Sequence, residues 1–207
     1  MTPDDDSTFG IAFVCTANRF RSPLAAAVAR QVLEPLPVAI TSAGIRNVGS
    51  APALPAAVEA AAALGIDLAP HRAQLLEPGS LRSLALVVGF ELAHVASAVI
   101  DGGAPRGRTF MLAELVRLIE QTVPDSSRDW RSRAEDVLVR LHPAHATSAE
   151  IPDPVREPRQ RQNAIAREVV ELTVRAASGL FGLPTDATAG GTHAAGSRLS
   201  ALRRLRI

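Results

Sequence analysis

The apolar positions of this chain fall in short runs whose spacing switches between strand and helix. Phe9, Ile11, Ala12, Phe13 and Val14 form a run with aromatic and β-branched members, the pattern of a strand buried on both faces of a parallel sheet. Ser22-Pro23 reads as a helix start, serine at the N-cap and proline at the first helical position. That helix runs to Glu34 and stops before Pro35-Leu36-Pro37, where ring sterics and the missing N–H break it. Val38-Ala39-Ile40-Thr41 predicts a second strand, and Pro55 to Leu64 an alanine-rich helix closed by Gly65. Leu84 to Phe90 predicts a central strand, followed by a helix over Glu91 to Val99 with His94 on its surface. Arg108 to Leu112 and Ala113 to Glu120 repeat the strand–helix pair. Such alternation predicts a three-layer α/β/α sandwich around a four-stranded parallel sheet.

Farther on, Trp130, Ala134, Val137, Leu138 and Leu141 make a helical apolar stripe, with Trp130 read as a core anchor. Asn163 to Phe181 is the last predicted helix, burying Ile165, Val169, Thr173, Ala176 and Leu180. The principal domain is therefore expected over residues 9–181, with an acidic extension over 1–8 that contains Asp4-Asp5-Asp6. Residues 182–207 are rich in Ala, Gly, Thr and Ser, a composition that predicts disorder, and end in a short basic amphipathic stretch, Ser197 to Arg206.

Composition adds limits rather than a function. At 207 residues and 47% hydrophobic content the chain can build a full core. A net charge of +1 gives no global field for nucleic acid, and no apolar run reaches membrane-spanning length. Lysine is absent, so all 22 Lys-or-Arg positions are arginine, and tyrosine is absent too, which we attribute to compositional bias. The single cysteine excludes an internal disulfide and a multi-cysteine metal site. His142 and His145 lack acidic or cysteine partners nearby, so no metal and no cofactor is expected. The N-terminus lacks the basic and apolar regions of a signal peptide, and a free thiol suits a reducing compartment; the expectation is a cytoplasmic enzyme. The pattern fixes no oligomeric state.

Candidate chemistry concentrates at the only cysteine. Cys15 ends the first strand, and Thr16-Ala17-Asn18-Arg19-Phe20-Arg21 joins it to the helix. A loop entering a helix N-terminus turns backbone N–H groups toward one point, where the helix dipole also favours an anion. Arginine offers a planar fork for two oxygens of a tetrahedral oxyanion, and a thiol in such surroundings favours its thiolate form. Cys15 and Arg21 together predict a nucleophile aimed at a cradled phosphorus.

Val14-Cys15-Thr16-Ala17-Asn18-Arg19-Phe20-Arg21-Ser22-Pro23 resembles the phosphate-binding loop of the low-molecular-weight protein tyrosine phosphatases, V-C-x-[GA]-N-x-C-R-S-P. Phe20 stands where the family has a second cysteine, so the reversible disulfide of that family is not expected here. Ser42-Ala43-Gly44 resembles the family's S-A-G segment, which implies that Ser42 supports the loop. Ile66 to Ala73 resembles G-[IV]-D-x-x-x-H-R-[SA], which implies that His71 holds Asn18, a residue type that tolerates a left-handed backbone. Ile151-Pro152-Asp153-Pro154-Val155 resembles the Asp-Pro loop, which implies that Asp153 is the general acid.

The resemblance implies a flavodoxin-like fold and a metal-free phosphatase with a cysteinyl-phosphate intermediate. Its substrate would be a phosphotyrosyl protein or a small phosphomonoester. Cys15, Arg21, Asp153 and Ser22 would be catalytic, residues 16–20 would bind phosphate, and Asn18, Ser42 and His71 would support the site. Residues 122–150 would be a helical insertion in the family plan. The loop over Ile45 to Ala53 carries no aromatic, and Val155-Arg156 follows Asp-Pro, so Phe20 is the expected aromatic wall of the cleft. Two other readings stay open: an arsenate reductase using external thiols, and a phosphoprotein-binding module that has lost turnover.

Overall fold

In the computed structural model, which describes residues 8–122, 128–144 and 150–183, the backbone follows the alternation of the sequence. The elements are β1 (Phe9–Cys15), α1 (Arg21–Val32), β2 (Val38–Gly44), α2 (Pro55–Ala62), β3 (Leu86–Gly89) and α3 (Leu92–Ile100). They continue with β4 (Thr109–Met111), α4 (Leu112–Glu120), α5 (Trp130–Arg140) and α6 (Arg159–Phe181). All strand pairs are parallel, in the order β2-β1-β3-β4. The expected four-stranded parallel α/β sheet is the one observed.

Alternation along β1 builds the two faces of the sheet. Phe9, Ile11, Phe13 and Cys15 belong to the larger core, with α1, α2, α4, α5 and α6. Ala12 and Val14 belong to a second core with Val87 and Ala98 of α3. Side chains of successive strand residues point to opposite faces, so a run apolar throughout serves both layers. Trp130 anchors α5 to the larger core, its ring 6.1 Å from Phe9 and 5.8 Å from Phe181.

Several boundaries move, each for a local reason. Helix α1 starts at Arg21, with Phe20 at its N-cap and no side-chain cap; Ser22 is not the N-cap expected, because its hydroxyl is engaged elsewhere. Strand β2 extends to Gly44, keeping register with β1 as far as Cys15. Strand β3 is shorter than expected, because only Leu86–Gly89 find ladder partners. Helix α6 begins four residues early, directly after Pro158. The expected acidic extension as far as residue 7, part of the 122–150 segment including Pro124 and His145, and the tail from residue 184 lie outside the described residues.

Chain order sets the position of the site. From β1 the chain moves through α1 to β2 on one side, then crosses to β3 on the other side of β1. The carboxyl end of β1 is therefore a topological switch point, where open α/β sheets leave a crevice for ligands. Residues 16–20 lie there.

Candidate active site

Cys15 is the last residue of β1 and is buried. The backbone beyond it is held by the chain leaving β2: Ile45 N–H donates to Cys15 O at 3.0 Å and Arg46 N–H to Thr16 O at 2.8 Å. Gly44 makes this approach feasible. A Cβ there would lie 2.7 Å from the Ala17 carbonyl carbon and 2.8 Å from Asn18 N, both backbone atoms that cannot yield.

Asn18 is fully buried and has φ +52°, the one positive φ of a non-glycine among the described residues. A left-handed backbone costs free energy for most L-residues, and here every polar group of the side chain helps to hold it. Nδ2 donates to Ser22 Oγ at 2.8 Å and to Ser42 Oγ at 2.9 Å, while Oδ1 accepts from Gln74 N–H at 2.9 Å. The Asn18 carbonyl accepts from His71 Nε2 at 2.7 Å. A carbonyl can only accept, so that bond places a proton on Nε2. Burial, opposed by this bond and aided by Arg30 and Arg72, holds the His71 ring below its ordinary pKa. Ser22 Oγ, accepting from Asn18, donates to Cys15 Sγ at 3.0 Å, with Ala43 O a second acceptor at 3.3 Å. A hydroxyl proton aimed at sulfur is a bond that a thiolate accepts best.

On the other side lies Arg21, 1% exposed. Its Nη1 donates to Ile151 O at 2.8 Å and pairs with Glu91 Oε2 at 3.1 Å. Its Nη2 donates to Thr16 Oγ1 at 2.9 Å and pairs with Asp153 Oδ2 at 3.2 Å. The guanidinium also lies over the Phe90 ring, 5.9 Å from its centroid. A buried charge is tolerated when paired and hydrogen-bonded, and both ends of the fork meet that condition.

Three expectations are corrected here. His94 is not a surface residue: it is 0% exposed. Its Nδ1 accepts from Glu91 N–H at 3.1 Å and Phe90 N–H at 3.3 Å, and its Nε2 lies 3.0 Å from Thr16 Oγ1 and 3.2 Å from Glu91 Oε2. Phe20 does not line the cleft. It is 3% exposed and sits in the larger core, at the N-cap position that leads into α1. Ser22 serves sulfur and Asn18 rather than the helix terminus. The remaining expected residues converge: Cys15, Asn18, Arg21, Ser22, Ser42, His71 and Asp153 are linked by the bonds above. Thr16 and Ala17 are partly exposed at the mouth, and Arg19 turns outward, its Nε donating to Pro52 O at 2.8 Å.

Glu91 and Ile151 were missed as partners of Arg21, and Gln74 as a partner of Asn18. Glu91-x-x-His94 has the spacing of a helix start in which a polar residue at N3 reaches back to the N-cap N–H. That spacing at the carboxyl end of a central strand is the signal that could have found both residues.

A family model described as low molecular weight phosphotyrosine protein phosphatase matches residues 10–133. A probable low molecular weight protein-tyrosine-phosphatase, EpsP of Ralstonia solanacearum, is 48% identical over 131 residues, covering 63% of this chain and 87% of that one. Among solved structures, a cysteine-to-serine mutant of YwlE arginine phosphatase with a phosphorylated active-site serine is 25% identical with a TM-score of 0.61, over 86% of this chain and 98% of that one. The tyrosine phosphatase Wzb from Escherichia coli K30 in complex with sulphate shares the fold, with 21% identity and a TM-score of 0.61 over 84% and 99% of the two chains. With the loop, the fold and these likenesses in agreement, the chain belongs to the low molecular weight phosphotyrosine protein phosphatase family and is an enzyme of that type.

Proposed function

We propose that the protein hydrolyses phosphomonoesters, phosphotyrosine in a protein first among them, through a phosphoryl group carried on Cys15. The observation that carries this reading is the convergence of Cys15 Sγ, Ser22 Oγ and the Arg21 fork around one loop at the end of β1. In the first step Cys15 Sγ attacks phosphorus, the S–P bond forms and the P–O bond to the leaving group breaks. Loop N–H groups and Arg21 stabilise the equatorial oxygens, and Asp153 gives its proton to the departing oxygen. In the second step water attacks the cysteinyl phosphate, Asp153 takes the water's proton, and the thiolate leaves toward the Ser22 hydroxyl. Asp153 is partly exposed; of the two carboxylates on Arg21 it is the one that an incoming phosphate displaces, which frees it for this work.

Residues 9–181 act as the catalytic domain in this reading. The segment around α5 is a helical insertion whose Trp130 fastens it to the core. Among the described residues no helix is long and apolar enough to cross a membrane, and a cytoplasmic location agrees with an unpaired thiol. Arsenate reduction and binding without turnover are less favoured, because the named relatives are phosphatases.

One observation supports a second substrate, phosphoarginine, on which the related YwlE acts by its name. All six phenylalanines are buried, and the side chain that follows the Asp-Pro pair is Val155, 53% exposed. An aliphatic wall fits an alkyl guanidine as well as an aromatic ring. Rates on phosphotyrosine and phosphoarginine peptides, measured side by side between about pH 5 and 7, test the reading. Faster phosphotyrosine cleavage supports the first substrate, faster phosphoarginine cleavage the second, and no hydrolysis of either or of an aryl phosphate would sink the phosphatase reading. Asp153→Ala should slow a poor alkoxide leaving group on the order of a hundredfold and a good phenoxide much less; equal slowing would remove the acid role.

A further inference from the structure

His94 has no part in the chemistry described above, yet it is wholly buried against the arginine side of the phosphate loop. Its ring is fixed from both ends. Nδ1 accepts two backbone N–H groups, from Phe90 and Glu91, so it carries no proton. The proton is on Nε2, which leaves one donor facing two acceptors, Thr16 Oγ1 at 3.0 Å and Glu91 Oε2 at 3.2 Å. The contact with Glu91 is a hydrogen bond from a neutral ring rather than an ion pair. Burial, helped by the nearby Arg21 charge, pushes the ring down to about 3, in agreement with that tautomer.

Those two acceptors are also the ones that receive Arg21: Thr16 Oγ1 takes Nη2 and Glu91 Oε2 takes Nη1. The histidine donor therefore holds, from behind, one acceptor on each terminal nitrogen of the fork. Arginine recognises phosphate through a planar, paired geometry, so a small rotation of the guanidinium plane misplaces both donors at once. We propose that His94 is a positioning residue of this phosphatase, a neutral Nε2–H donor that orients the Arg21 guanidinium for the transferring phosphoryl group through Thr16 and Glu91. The inference rests on the phosphatase reading for its rate effects, while its binding readout does not need turnover.

Two measurements test it. Steady-state rates on an aryl phosphate, with each variant's folded fraction fixed by thermal unfolding, compare wild type, His94→Leu and His94→Gln. Leucine removes donor and acceptor and should lower kcat roughly tenfold to a hundredfold, as expected when a transition-state contact is misplaced. It should weaken inhibition by vanadate in parallel and change KM less. Glutamine carries an amide donor and acceptor and should recover part of the loss. The second measurement uses wild-type protein and inorganic phosphate, with the His94 ring nitrogens followed by NMR. The Nε2–H signal should shift as phosphate saturates the loop, while Nδ1 stays unprotonated. Folded His94→Leu with unchanged kcat and vanadate affinity would overturn the proposal. So would an Nε2–H signal unmoved by bound phosphate, a result that decides the matter even if His94→Leu does not fold. A wild-type enzyme that binds phosphate with the predicted shift but turns over no phosphoester would instead count against the phosphatase reading alone.

Discussion

The two flanks of the phosphate loop solve different problems with different chemistry. The Asn18 flank is held by neutral partners, Ser22, Ser42, Gln74 N–H and His71, which fix a backbone that would otherwise leave its positive φ. The Arg21 flank is held by charge, with Glu91 and Asp153 on a guanidinium that is almost without solvent. Shape needs bonds that persist whether or not an anion is present. A cationic fork needs counter-charges that an anion can replace, and Asp153, the more exposed of the two, is the replaceable one. His94 differs from His71 in the same sense: His71 meets a backbone carbonyl, whereas His94 meets the acceptors of the fork.

Breaking the charged flank should have the largest effect. Arg21→Lys keeps the charge and loses the fork, so kcat/KM on an aryl phosphate should fall on the order of a thousandfold, with thermal stability much less altered. A loss below tenfold would mean that charge alone suffices. Breaking the neutral flank should read differently. Asn18→Ala deletes three side-chain bonds and leaves the left-handed backbone with the His71 contact alone, for a stability loss of roughly 3 kcal/mol in chemical denaturation. Activity lost without stability would show that the asparagine does not hold the loop's shape.

A smaller effect sharpens the contrast through pH. The unfolded His94 ring takes a proton near 6.5 and the folded one only near 3. The unfolded state thus binds more protons between those values, and stability falls as pH drops through that window. From pH 7 to pH 5 the loss is about 2 kcal/mol from this ring alone. The lowered pKa of His71 acts in the same direction. Denaturation midpoints across that range check it, and His94→Leu should flatten most of the slope.

Much of this was legible in the sequence because it was local. The apolar run ending at Cys15, the loop and the following Ser-Pro place a nucleophile at a helix start, and parallel pairing of the four strands follows from the strand–helix alternation. His94 and Phe20 were misplaced for a tertiary reason. The Glu91-x-x-His94 spacing marks a helix start but not burial, and the pairing of β1 with β3 is what brings the ring to Thr16. Phe20 lies in the loop by sequence, but at the N-cap of α1 its side chain packs into the larger core. Ser22 satisfied a helix-start pattern by residue type, whereas the sulfur seven residues earlier is the acceptor of its hydroxyl hydrogen bond.

The proposed hydrolysis turns on a phosphoryl group carried by Cys15. Asp153→Ala, slowed in the second step, mixed with an aryl phosphate and quenched in acid, should yield one phosphorylated peptide, the one containing Cys15, at up to one group per folded chain. Continued turnover with phosphate on another residue, or on none, would contradict it.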